Sequence, residues 1–117
     1  MVQDNILAEK STCFATRIVR CYQYLCKDKK EFILSKPIYR SGTSIGANIH
    51  EGIFAQSKAD FISKLGIALK EAGETVYWLK VLYRTKYLDE QLFSSLKYDC
   101  DELIKMLTAT IKSSKNQ

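Results

Sequence analysis

Between Ser41 and Gly52 the chain reads Ser-Gly-Thr-Ser-Ile-Gly-Ala-Asn-Ile-His-Glu-Gly, with three glycines threaded through the helical apolar spacing of Ile38, Ile45, Ile49 and Ile53. Glycine in a helix interior costs about 1 kcal/mol relative to alanine. A helix carrying Gly42 and Gly46 therefore needs a compensating gain, and close approach of a neighbouring helix supplies one. The G-x-x-x-G spacing would suggest a membrane helix pair in an apolar segment. Here Arg40, Asn48, His50 and Glu51 interrupt it, so the segment predicts close helix packing in water. Asn48, at the edge of this seam, is expected to act as a buried amide that disfavours slipped registers, because slippage would leave it unpaired.

Three further segments carry helical periodicity. Asp4 is the expected N-cap of a first helix reaching about Lys27, with Leu7, Ser11, Phe14, Ile18, Cys21 and Leu25 on its core face. Lys27–Glu31 reads as a polar connection, after which Ser35 is expected to cap the glycine-bearing helix with Pro37 in its first turn, where a missing N–H costs nothing. Ser57 and Asp60 have capping-box-like spacing for a third helix from about Lys58 to about Lys86. Its core stripe is read as Ile62, Leu65, Leu69, Ala72, Val76, Leu79 and Tyr83. Asp89 is the expected N-cap of a fourth helix built on Leu92, Leu96, Leu103 and Leu107, with Lys112 and Lys115 complementing its negative end. No segment sustains the period-two alternation of a strand. Four helices with short connections predict an all-α fold, an antiparallel up-down-up-down four-helix bundle.

A chain of 117 residues, 46% hydrophobic and 26% charged, matches one domain with an ordinary globular core. The four cysteines, Cys13, Cys21, Cys26 and Cys100, fit neither a C-x-x-C pair nor a zinc-finger pattern. With no visible signal peptide and no apolar run near the roughly 20 residues that cross a bilayer, the chain reads as cytoplasmic, with reduced thiols and no membrane partner.

Chemistry-bearing constellations are sparse. His50 is the single histidine, and His50-Glu51 starts like H-E-x-x-H but has Phe54 at the second histidine position. Glu71 and Glu74 give Glu-x-x-Glu where a di-iron bundle wants Glu-x-x-His. Asp99–Glu102 is acidic but lacks the glycine turn of a calcium loop. The expectation is a non-enzyme with no catalytic residue, cofactor, metal or small-molecule substrate.

Two surfaces stand out instead. On the third helix Ile67, Glu71, Glu74, Trp78, Val81 and Leu82 line the side opposite the expected core, where a helix buried on one face should be polar. With the chain's one tryptophan among them, they are candidates for a subunit interface; scattered surface apolar residues are the alternative. On the first helix Lys10, Arg17, Arg20 and Lys27 fall within a sector of roughly 100°. Lys29, Lys30, Lys36 and Arg40 extend this positive region. With a net charge of +5, these eight are the candidate nucleic-acid contacts, and Tyr22, Tyr24 and Tyr39 lie nearby in sequence to stack on bases. The alternative is a solvated face that matters for solubility, in a structural or protein-interaction adaptor.

Arg40–Gly52, Ser57-Lys-Ala-Asp-Phe-Ile62 and Ile67-Ala-Leu-Lys-Glu-Ala72 continuing to Tyr77-Trp-Leu79 resemble the four-helix-bundle proteins encoded in intervening sequences of bacterial 23S rRNA genes. The resemblance spans nearly the whole chain. It implies a bundle that assembles into a ring-like homo-oligomer, a pentamer. The same broad family includes the accessory protein of diversity-generating retroelements, which implies RNA or DNA and a protein as partners. It brings no catalytic residues. At His50 the family pattern favours a small or acidic side chain.

Overall fold

The computed structural model describes residues 2–117, with side chains from Ile6 onward. It contains α1 (Val2–Lys27), α2 (Ser35–Ile53), α3 (Lys58–Arg84) and α4 (Glu90–Lys115), and no strand among the described residues. Each helix packs on its sequence neighbours, and α1 closes the ring against α4. Residue pairings give the directions. Gly42 faces Ile18 and Gly46 faces Ser11, Arg40 meets Glu71 while Gly52 meets Leu65, and Arg17 meets Asp99 while Lys10 meets Glu102. Cys100 bonds to the Ala72 carbonyl while Phe93 stacks on Tyr83. Each adjacent pair is therefore antiparallel, and the helices run up, down, up and down.

The α1 core face is as expected, with Leu7, Ser11, Phe14, Ile18, Cys21 and Leu25 all buried. The third helix differs. Its buried residues are Leu65, Ala68, Glu71, Ala72, Thr75, Leu79 and Leu82, while Leu69 and Val76 are only partly buried and Tyr83 is exposed. At 100° per residue this turns the buried face by about 70° from the apolar stripe. The cause lies in α2, which presents polar groups to α3. Ser41 and Thr75 share a 2.9 Å hydrogen bond, Thr75 also bonds to the Glu71 carbonyl at 2.8 Å, and Glu71 receives Arg40. Polar residues with partners can be buried, so hydropathy misplaces the flank.

Connections follow from capping chemistry. Ser57 Oγ accepts from the Asp60 N–H at 3.1 Å, and Asp89 accepts from the Leu92 N–H at 2.8 Å. Ser35 does not cap α2. Leu34 holds the N-cap position, and the buried Glu31 carboxylate accepts from the N–H groups of Ser35 at 2.8 Å and Ile33 at 3.2 Å. Asp4 is not the N-cap of α1, because the helix already begins at Val2 and Asp4 lies within its first turn. Two or three residues beyond the ends of α1 and α3 a lysine sits in the left-handed region, Lys30 at φ 56° and Lys86 at φ 70°, where glycine is usual.

Candidate nucleic-acid interface and subunit face

The eight expected cations divide into two groups. Arg17 bonds Asp99 at 2.7 Å and Lys10 bonds Glu102 at 2.9 Å, both joining α1 to α4. Arg40 joins α2 to α3 through Glu71 at 3.0 Å and Glu74 at 2.6 Å. These three cations are engaged in ion pairs within the fold. The other five, Arg20, Lys27, Lys29, Lys30 and Lys36, are exposed, with no carboxylate within 4 Å among the described residues. They occupy the last turns of α1, the α1–α2 connection and the first turn of α2, at one end of a molecule 47 Å long.

Aromatic groups accompany them. The ammonium of Lys29 lies 5.9 Å from the centre of the Tyr24 ring, and Tyr22 meets Tyr39 edge-on with centroids 4.7 Å apart. Phe32 and Ile33 project from the connection at 54% and 77% exposure. Sequence reasoning missed both because it read the connection through its charges. Arg84 and Lys86, just at and after the end of α3, join Tyr24 and Lys29 around an open depression that the carboxylate-bearing Asp89 and Glu90 also line, and only the folded chain brings them together.

On α3 two of the six expected interface residues belong to the subunit's own core. Leu82 is fully buried, and Glu71 is buried with Arg40 of the same chain as its partner. Glu74 is half-buried and likewise receives Arg40, so neither glutamate awaits a partner subunit. Trp78 donates its indole N–H to Glu74 at 3.2 Å. That bond, followed by the Arg40 guanidinium, holds the Glu74 carboxyl below the usual carboxylate value against its partial burial. Trp78 and Val81 remain half-buried, and Ile67 is exposed. Two features of this side were not anticipated. Tyr77 is 57% exposed and packs edge-on against Trp78, and Gly66 and Gly73 point into open space.

The α2 seam is local and tight. A Cβ on Gly42 would lie 2.7 Å from Ile18 Cγ1, and one on Gly46 would lie 3.2 Å from Ser11 Oγ. Asn48 is half-buried and donates to the Ser44 carbonyl of its own helix at 2.8 Å. Its amide thus supports α2 rather than the inter-helix register expected of it. Exposed His50 turns Nδ1 to the Gly46 carbonyl at 2.8 Å, another bond within the helix.

Burial pushes the Cys21 thiol up to about 11 and the Cys100 thiol up to about 12. Neither thiol is a nucleophile near neutral pH. Among the described residues no group of three His, Cys, Asp or Glu side chains could hold a metal, and no helix is long and apolar enough to cross a membrane.

These features define an antiparallel all-α bundle whose candidate sites are a cationic aromatic end and an outward apolar helix face. Residues 3–109 match the family model described as 23S rRNA-intervening sequence protein, and the chain belongs to that family. A crystal structure of a protein of unknown function from the S23 ribosomal protein family of Bacteroides thetaiotaomicron is similar at 54% identity and a TM-score of 0.93, over 94% of this chain and 98% of that one. No curated protein matches the chain.

Proposed function

We propose that this chain is a cytoplasmic, non-enzymatic bundle that assembles into a homo-oligomeric ring, of the pentameric kind implied by the family resemblance, and binds RNA or DNA. The observation that carries the nucleic-acid reading is the division of the cations. Arg20, Lys27, Lys29, Lys30 and Lys36 remain unpaired and gathered at one end, whereas Lys10, Arg17 and Arg40 hold helices together. Unpaired cations can neutralise phosphates and release condensed counterions. The subunit contact rests on the α3 face of Ile67, Tyr77, Trp78 and Val81 beside the open Gly66 and Gly73. Each of those glycines costs its helix about 1 kcal/mol, and no contact within the subunit offsets it. A neighbouring subunit approaching closely would.

The test combines light scattering with a salt titration. The expected mass is a multiple of the 13.4 kDa chain, and a monomer at micromolar concentration refutes the assembly. Five phosphate contacts per subunit predict a slope of log K against log salt of about −3.5 on a single strand, at about −0.7 per contact. Lys27, Lys30 and Lys36 changed together to Gln should reduce that slope by about two. A mass above the monomer with no salt-sensitive binding would instead favour a protein-interaction adaptor.

A further inference from the structure

Beside the cationic end runs an open groove of about 630 Å³ lined by Tyr22, Gln23, Cys26, Lys27 and Phe32. Its volume lies within the roughly 300–1,000 Å³ common for small-ligand sites. Four of its five lining residues come from consecutive turns of α1, and Phe32 comes from the connection that folds back beside them. We infer that this groove takes an unpaired nucleobase, so that the nucleic acid bound is single-stranded; the inference rests on the nucleic-acid reading above and narrows it.

The lining has the three chemistries such a ligand needs. Tyr22 and Phe32 provide aromatic surfaces, the Gln23 amide can both donate to and accept from a base edge, and the Lys27 ammonium can meet a flanking phosphate. The aromatic surfaces are positioned before any ligand arrives. Tyr22 is braced edge-on by Tyr39 at an interplanar angle of 77°. The backbone around Phe32 is fixed on both sides, because the Glu31 N–H bonds the Leu25 carbonyl at 2.9 Å and the Glu31 carboxylate accepts from Ile33 and Ser35. A rigid connection leaving a phenylalanine more than half exposed has no folding reason visible within the subunit. Lys27 in the lining, with exposed Lys30 and Lys36 flanking Phe32 in sequence, favours an anionic chain over a neutral apolar one. A duplex offers these lysines its phosphates but keeps its bases stacked, out of reach of the groove.

The test compares wild type, Phe32→Ala and Phe32→Tyr by fluorescence anisotropy on a labelled single-stranded oligouridylate and on a duplex RNA of equal length, with polyglutamate as competitor. Wild type should prefer the single strand. Phe32→Ala should weaken single-strand binding by roughly 5- to 150-fold, the range expected for loss of one base stack, and leave duplex binding within twofold. Phe32→Tyr, which keeps the ring, should bind like wild type. As a positional readout, in a Cys13→Ser background the single strand should protect Cys26 from alkylation, since Cys21 and Cys100 are buried. If Phe32→Ala binds the single strand as well as wild type, or polyglutamate displaces the oligonucleotide charge for charge, the groove is not a base site although nucleic-acid binding stands. If wild type binds neither nucleic acid at low salt, both readings fall together.

Discussion

The same substitution, glycine to alanine, should have opposite effects at two positions of this bundle. At Gly42 the added methyl would lie 2.7 Å from Ile18 Cγ1, 2.9 Å from Cγ2 and 3.0 Å from Cδ1. Ile18 is fully buried, and a β-branched side chain in a helix has one strongly preferred χ1 rotamer, so it cannot turn aside. Overpacking of this kind costs about 1–3 kcal/mol, against about 1 kcal/mol gained in helix propensity. Gly42→Ala should therefore be destabilising by about 1 kcal/mol, with an upper value near 2. At Gly73 nothing lies within 4 Å of the new methyl, so only the propensity gain of about 1 kcal/mol remains.

For 117 residues at about 2.1 cal/mol/K each, the unfolding entropy is about 0.25 kcal/mol/K, so 1 kcal/mol moves Tm by about 4 °C. Calorimetry or thermal circular dichroism at a concentration where the subunit is dissociated should show Gly42→Ala melting about 4–8 °C lower and Gly73→Ala about 4 °C higher. A double-mutant cycle locates the cause. In an Ile18→Ala background Gly42→Ala should cease to destabilise, giving a coupling of about 1–2 kcal/mol. If Gly42→Ala instead raised Tm as much as Gly73→Ala, the α1–α2 seam would not be the reason for that glycine.

Two further outcomes follow from thiol burial and from backbone geometry. Buried Cys21 and Cys100 have folded pKa values raised from 9.0 to about 11 and about 12. Their protonated forms are thus favoured by folding, and the associated stability is complete below about pH 9 and lost as pH rises toward those values. Urea midpoints measured from about pH 8 to about pH 10.5 should fall, and fall less in Cys21→Ala/Cys100→Ala; parallel curves would contradict the burial. Lys86, at φ 70°, carries a Cβ where left-handed backbone penalises it, so Lys86→Gly should stabilise by about 0.5–1 kcal/mol. Destabilisation there would mean that the lysine side chain holds the α3–α4 turn.

The four helices were legible because apolar spacing and caps are local signals. Ser57, Asp60 and Asp89 announce helix starts within a few residues, and the α1 stripe includes Ser11 because its spacing outweighs its polarity. The facing of α3 was not legible, since it depends on which polar residues find partners across helices. Glu71 and Thr75 look solvent-facing until Arg40 and Ser41, about thirty residues earlier, are set beside them. The candidate site divides in the same way. A cluster of cations is visible in sequence, but the carboxylates that engage Lys10 and Arg17 lie 92 and 82 residues away. Phe32 carried a signal that could have been used, an aromatic inside an otherwise charged connection.

This division of charge also says where any attraction for anions originates. In an antiparallel bundle each end carries two helix N-termini and two C-termini, so the partial charges of the helix dipoles largely offset one another. The positive field at the α1–α2 end must then come from side chains, chiefly Arg20, Lys27, Lys29, Lys30 and Lys36. Its strength scales with the number of copies that a cyclic assembly places around one axis. A groove that holds a single base weakly becomes effective when several are engaged by one strand, because every contact after the first is intramolecular. Under the proposed function, the open face of α3 and the cationic end of α1 act together, with the first setting how many of the second a strand can meet.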